Sequence, residues 1–323
     1  MADKDVTQML SDCESLKPKD LILDSLKWKY LVRSVLRGKN ILFIGPSREG
    51  KTKAAKSAAV ALGRQDKFFI FNLGSTQDAR ATLIGNMYYS KEKGTFLDVS
   101  QFAKAIQIPG AVILLDELSR GHHDAWNILM PVLDPTQRTL RLDEALESAV
   151  IHVAEGVTFI ATANIGNEYT ATRVMDAALT FRFPVIVEME PLDYKGMSTL
   201  ITVLHPEANQ EQLENMLKLC HISNDSKVQV RMDNPKITKF VPTGVIVEAA
   251  ELVIDGFTLK EIAEMVVYPM YDDSGGADSE RLFAKCLVQK HLDAVAAAVP
   301  SPIHSPSAPK SDSNGGKKVN IKF

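Results

Sequence analysis

The chain has 323 residues, 45% hydrophobic and 24% charged, with a formal net charge of −3. That composition suits a globular protein with room for two domains. It gives no electrostatic case for nucleic acid as the main partner, although it leaves a local basic pore open. Cys13, Cys220 and Cys286 are odd in number and lack metal spacing, the opening "MADKDVTQML" has no apolar targeting core, and no apolar run approaches the ~20 residues of a bilayer span, so a reduced cytoplasmic setting without membrane contact is expected.

Residues 1–24 read as an N-terminal extension. Helical, polar sequence continues to about Lys39, with Trp28, Tyr30, Leu31, Val35 and Leu36 as apolar anchors. Strands are then expected at Asn40–Ile44, Phe68–Leu73, Ala111–Leu115, Val157–Ala163 and Phe183–Met189, with helical stretches between them. That alternation predicts an α/β fold over 25–190: a parallel five-stranded sheet between helices, with ligands beyond the carboxyl ends of its strands. From Pro191 the sequence turns helical. In "GVIVEAAELVIDG", Ile246, Ala249, Ala250, Val253, Ile254 and Phe257 recur at helical spacing, and Thr258 to Glu261 has the form of a capping box. Residues 191–295 therefore read as a small α-helical lid domain. The Pro/Ser/Gly/Lys-rich stretch 296–323 reads as a disordered tail, closing on "KKVNIKF" with strand-like alternation and the potential to tether a partner.

The first strand runs into Gly45-Pro46-Ser47-Arg48-Glu49-Gly50-Lys51-Thr52, followed by Lys53 and an alanine-rich helix expected to stop at Gly63. This fits G-x-x-x-x-G-K-[ST] without substitution. Backbone N–H groups of such a turn curl around phosphate oxygens, and the helix that follows points its positive end at them. Lys51 has the reach for the outer phosphates, and the Thr52 hydroxyl is a ligand for Mg²⁺. In "AVILLDELSR" an apolar strand delivers Asp116 and Glu117 to its end. Phosphoanhydride hydrolysis needs a metal anchor, assigned to Asp116, and a group acting on water, assigned to Glu117. "VTFIATANIGNEYTATR" ends another apolar strand near Asn164, whose amide is placed to help orient water. The ordinary alternatives are a solvated acidic strand end and an Asn turn. Adjacent His122 and His123 have no partners at metal spacing and read as solvated.

The order phosphate loop, Asp-Glu strand, strand-end Asn resembles an AAA+ ATPase. The stretch "STQDARATLIGNMYYSKEKGTFLDVSQFAKAIQIPGAVILLDELSRGHHDAWNILMPVLD" resembles the MoxR and dynein-related (helix-2-insert) branch, which includes the small ATPase subunit of cobaltochelatase. "TANIGNEYTATRVMDAALTFRF" resembles that branch's segment ending in "DRF". The likeness covers about residues 25–190 well and the helical part loosely. It implies ATP and Mg²⁺ as cofactors and a homo-oligomeric, six-membered ring. It also implies a neighbour's arginine completing each site: Arg182 first, with Phe181 in place of the usual acid, and Arg173 second. A separately encoded partner, often bearing a von Willebrand A-type domain, is further implied. Arg120 and Asn127 match residues common in the branch and read as interface or positioning groups. Met87–Tyr89 and Lys91–Lys93 fall in its insert, which faces the ring pore; contact with a substrate is one reading, and aromatic packing in a hairpin is the plainer one. The family's lid arginine is expected in "VPTGVIVEAAEL", where Thr243 and Gly244 stand; the lid either lacks it or uses Arg231 or Lys239. The implied function is ATP-driven remodelling or maturation of a partner complex. A nucleic-acid motor similar to restriction GTPases, and a slow nucleotide-switched scaffold, are the alternatives.

Overall fold

A computed structural model describes residues 3–92, 94–142, 149–164 and 175–293. The tail beyond 293, Lys93 and the candidate Arg173 lie outside the described residues. Two helices, α1 (Asp3–Asp12) and α2 (Ser25–Leu36), precede β1 (Ile41–Ile44) and α3 (Lys51–Ala61). Next come β2 (Phe68–Asn72), α4 (Ala79–Leu83), β3 (Gly85–Ser90), β4 (Gly94–Val99) and α5 (Gln101–Ala105). Then follow β5 (Val112–Asp116), α6 (His123–Leu133), β6 (Thr139–Leu142), β7 (Ala149–His152), β8 (Thr158–Ala163), α7 (Ala177–Thr180) and β9 (Val185–Glu188). Helices α8 (Tyr194–Leu204), α9 (Gln210–Val230), α10 (Thr243–Ile254), α11 (Leu259–Ile262) and α12 (Glu280–Asp293) complete the described chain.

The five expected strands form one sheet in the order β2-β5-β8-β1-β9. All its pairings are parallel, so every carboxyl end lies along one edge. Strand alternation splits the apolar residues between the two faces. Leu42, Ile113, Leu115, Phe159 and Ala161 pack with Phe102, Trp126 and Leu129 from α5 and α6. Ile41, Phe43, Leu114, Ile160, Val185 and Val187 pack against α2 and α3. Ala54, Ala55, Ala58 and Ala59 of α3 are fully buried, which lets that helix approach the sheet closely. Residues before 25 contribute Cys13 and Leu21 to the same cluster, and the Trp28 indole N–H donates to the Cys13 carbonyl at 2.7 Å.

Tyr30, expected as an anchor, is exposed. The buried stripe of α2 is Trp28, Leu31, Val32 and Val35, which puts residue 30 on the far side of the helix. Phe257 is also exposed, because Gly256, at φ 91°, ends the helix before the spacing reaches it. Among the described residues the connection between β2 and β5 holds two short helices, with the β3–β4 antiparallel hairpin between them, in keeping with the hairpin reading of Met87–Tyr89. A second hairpin, β6–β7, was not expected from the sequence. Helices α8–α12 gather a separate apolar cluster around Met216, Leu219, Ile246, Ala249 and Ala250. The capping box at Thr258 and Glu261 is formed as expected.

Candidate functional site

The phosphate loop leaves β1 at the carboxyl edge. Gly45 has φ 145°, and a Cβ there would collide with the Met189 carbonyl oxygen. Gly50 caps α3 with φ 84°. Lys51 is 8% exposed, and its ammonium donates to the Gly45 and Pro46 carbonyls at 2.7 and 2.6 Å and to Asn164 Oδ1 at 2.8 Å. Burial pushes its pKa down to about 8 against the fields of Asp116, Glu49 and Glu117. All three acceptors are neutral, so an anionic phosphate oxygen brings the countercharge that this buried cation fits.

The acid pair is fixed from the neighbouring strand. Because Leu115 pairs with Ala161, Asp116 stands beside Thr162. The Thr162 hydroxyl donates to Asp116 Oδ1 at 2.6 Å and accepts the Glu117 N–H at 2.8 Å. Glu117 has a left-handed φ of 54°, an uncommon conformation for a residue with a side chain and one that turns the chain away from the strand direction. Its carboxylate accepts from Arg120 Nη1 at 3.0 Å and lies over Gly74, where a Cβ would collide with it.

These groups line one cleft of about 640 Å³. Ser47, Arg48, Gly50, Lys51, Thr52 and Lys53 come from the loop and α3, Asp116 and Glu117 from the end of β5, Thr162 and Asn164 from the end of β8, and Gly244 and Glu248 from α10. Thr52 and Asp116, the expected Mg²⁺ ligands, are both on its wall, one a hydroxyl and one a carboxylate, which suits a hard cation. Lys53 is paired with Asp20 at 2.7 Å. Glu49 belongs to the loop, but its carboxylate turns away from the cleft to Thr243. Arg231, weighed as a lid cation, lines a different cavity, behind Gly45 and Pro46.

Arg182 lies elsewhere. It precedes β9, whose first residue pairs with Ile41 at the start of β1, so it sits at the amino edge of the sheet. Its Nη2 is 3.0 Å from Asp134 Oδ2, and its carbonyl accepts from Asn40 Nδ2 at 2.9 Å. Phe181 beside it is 79% exposed. His122, His123 and Asn127 are exposed, with the His123 ring edge-on to Trp126 at 4.7 Å. In the β3–β4 hairpin, Met87, Tyr88 and Tyr89 are exposed.

Sequence reasoning missed Thr162, Gly74 and the Arg120–Glu117 pair. A threonine two residues before the strand-end asparagine, one strand over from the acids, was the available signal for the first. The others depend on how separate loops meet.

Parallel order, phosphate loop, strand-end acids and strand-end amide together define an AAA+ P-loop α/β core followed by helices. Residues 40–183 match the family model of the AAA domain, dynein-related subfamily. Over 207 residues, 57% of this chain, the sequence is 32% identical to "Lon protease homolog, mitochondrial 1" of Dictyostelium discoideum, covering 20% of that protein. Over 148 residues, 45% of this chain, it is 34% identical to BssE of Thauera aromatica, named as a candidate chaperone, covering 49% of it. Over 215 residues, 58% of this chain, it is 27% identical to the chaperone protein ClpB of Staphylococcus aureus (strain COL), covering 23% of it. The chain thus spans about half or less of each of these relatives. No helix among the described residues is long and apolar enough to cross a membrane.

Proposed function

We propose that this protein hydrolyses ATP with Mg²⁺ and uses the resulting subunit movement to remodel or mature a partner protein complex. The observation that carries the reading is the convergence of Lys51, Asn164, Asp116 and Glu117 on one cleft beside the phosphate loop. Loop N–H groups and the start of α3 bind the polyphosphate, and Lys51 exchanges neutral carbonyls for charged oxygens. Thr52 and Asp116 would hold the Mg²⁺, which would supply positive charge to the phosphates. Glu117 accepts a proton from water as the water oxygen bonds to the terminal phosphorus. The bond from that phosphorus to the bridging oxygen breaks, and ADP leaves with the electron pair. Asn164 orients the water.

Arg182 is proposed as the arginine that a neighbouring subunit contributes, with Arg173 as the other candidate; a closed ring, hexameric in the MoxR manner, would bring it to the next cleft. Helices α8–α12 are proposed as a lid. The names of the relatives, a protease homologue and chaperones, support a protein rather than a nucleic acid as the object of the work. A separately encoded partner, including one with a von Willebrand A-type domain, fits the MoxR or cobaltochelatase-like reading. One observation favours a second reading, a slow nucleotide-switched scaffold: Arg120 engages the Glu117 carboxylate that water activation needs free.

Phosphate release with Mg-ATP tests both. Wild type should turn over, Lys51→Ala should lose binding, and Glu117→Gln should bind and stall. Capture with stalled Glu117→Gln and ATP from the native cell then identifies the partner. Equal turnover in wild type and Glu117→Gln would remove Glu117 from the mechanism.

A further inference from the structure

The phosphate loop carries a carboxylate, Glu49, immediately before Gly50. An acid in an anion-binding loop repels the ligand unless it is turned away and neutralised. Both conditions hold. Glu49 is 7% exposed, and its two carboxylate oxygens accept from the Thr243 hydroxyl at 2.6 Å and the Thr243 N–H at 3.1 Å. Burial raises its pKa, and the Thr243 bonds and the positive field of Lys227 oppose that rise. Lys227 is itself buried and donates to the Leu192 carbonyl. Thr243 is the first residue of α10, a helix of 12 residues whose N-cap, Pro242, makes no side-chain cap bond. Glu49 therefore caps a helix about two hundred residues further along the chain, and its negative charge suits the helix's positive end. Next to it, the Gly244 N–H donates to the Arg48 carbonyl at 3.1 Å, and a Cβ on Gly244 would lie 3.0 Å from Arg48 Cβ. Two successive loop residues are clasped to two successive residues of α10.

We infer that Glu49 is a positioning residue through which the orientation of α10 sets how tightly the loop holds a nucleotide. The inference rests on the nucleotide reading above and names how the helical region would act on that same site. Arg48 holds φ 63°, a left-handed conformation that costs energy for any residue with a side chain. Such a conformation persists only where its surroundings over-determine it. Here the fixed points are the Arg48 carbonyl and the Glu49 carboxylate, both held by α10. A shift of α10 frees this arc, and the N–H groups that converge on a phosphate lose their common focus. By linkage, a nucleotide that fixes the arc also fixes α10. The residues α10 places on the cleft wall are Gly244 and Glu248, neither a cation. Its hold on a bound phosphate therefore runs through the loop rather than through a charge of its own.

Thr243 is not on the cleft wall, so a change there reaches the nucleotide only through the clasp. The full chain would be titrated with a fluorescent ATP analogue and Mg²⁺, with amide exchange over the first turn of α10 read in parallel. Thr243→Val, which removes the hydroxyl donor and keeps the shape, should weaken binding roughly tenfold, the scale of one hydrogen bond to a charged group. Thr243→Ser should bind within about twofold of wild type, since it retains that donor. Glu49→Ala should weaken binding at least as much as Thr243→Val, and the double variant should be no weaker than Glu49→Ala. Nucleotide should slow exchange at α10 in wild type and not in Glu49→Ala. If Thr243→Val melts lower but binds as wild type does, the contact is structural only and the inference is overturned. If Glu49→Ala does not fold, the Thr243→Val and Thr243→Ser pair decides. If wild type itself binds no analogue, the nucleotide reading falls first, and this one with it.

Discussion

At the carboxyl edge of the sheet, a loop and two strand ends bring Lys51, Asp116, Glu117, Thr162 and Asn164 into one cleft, each fixed by a bond to another. At the amino edge, Lys39, Arg138 and Arg182 line a cavity of about 430 Å³ with no acid on its wall among the described residues. Arg182 reaches outside that wall to Asp134, and its Nε is buried without a hydrogen-bond partner among the described residues. One edge presents acids with a cation for a phosphate, and the other presents cations beside an exposed aromatic. A parallel sheet separates the two edges by the length of its strands. On the ring proposed above, Arg182 would serve a cleft where one subunit's amino edge meets another's carboxyl edge.

The largest effects should break the carboxyl edge outright. Lys51→Ala should abolish measurable nucleotide binding. Glu117→Gln should retain binding and lose turnover by about 100-fold or more, the range of a general base. Equilibrium titration and phosphate release separate the two.

Next is the link between the edges. Arg182→Ala alone should cut turnover by roughly 1,000-fold, the scale of an arginine given in trans. Mixed with Lys51→Ala subunits, which keep Arg182, it should regain part of the activity. Co-assembled mixtures that stay inactive would remove Arg182 from the role and leave Arg173 to be tested in the same way.

A smaller effect sharpens how the acids are held. Thr162→Val keeps the strand and deletes the one hydroxyl joining Asp116 to the Glu117 N–H. It should destabilise the fold by about 1–3 kcal/mol, as buried groups lose their partner. Turnover should fall more than nucleotide affinity does. A variant with lower melting temperature and wild-type turnover would make Thr162 structural only.

The smallest effect is in pH. The pKa of Lys51 is lowered to about 8 from 10.5. Between those values the unfolded chain holds a proton that the native cleft does not, so Lys51 makes nucleotide-free stability rise with pH across that window. A bound polyphosphate draws the proton back. Nucleotide affinity should therefore decline from about pH 7 to about 9, with proton uptake on binding seen by calorimetry in buffers of different ionisation heat. Affinity flat across that range would mean the ammonium stays charged in the empty cleft.

The carboxyl edge was legible in the sequence to the extent that it is written in local runs. Apolar strands ending in Gly45, Asp116 and Asn164 gave the sheet, its ligand edge and most of the cleft, because a strand's period and its terminal residue are properties of consecutive positions. The same local reasoning misplaced Tyr30 and Phe257, where a helical stripe and a glycine stop decide by a single residue. It expected helical stretches between β2 and β5, yet its hairpin reading of Met87–Tyr89 agrees with the β3–β4 pairing.

What the sequence by itself determined is the phosphate loop, the acid pair, the amide and the parallel order that lines them up. Only the tertiary structure decided what holds them. Thr162 meets Asp116 through strand register, Arg182 meets Asp134 across the amino edge, and Glu49 meets Thr243 over a separation of 194 residues. The physical reason is that a buried polar group must find a partner once water is removed. Which partner it finds is set by how finished elements pack, and spacing along the chain carries no record of that.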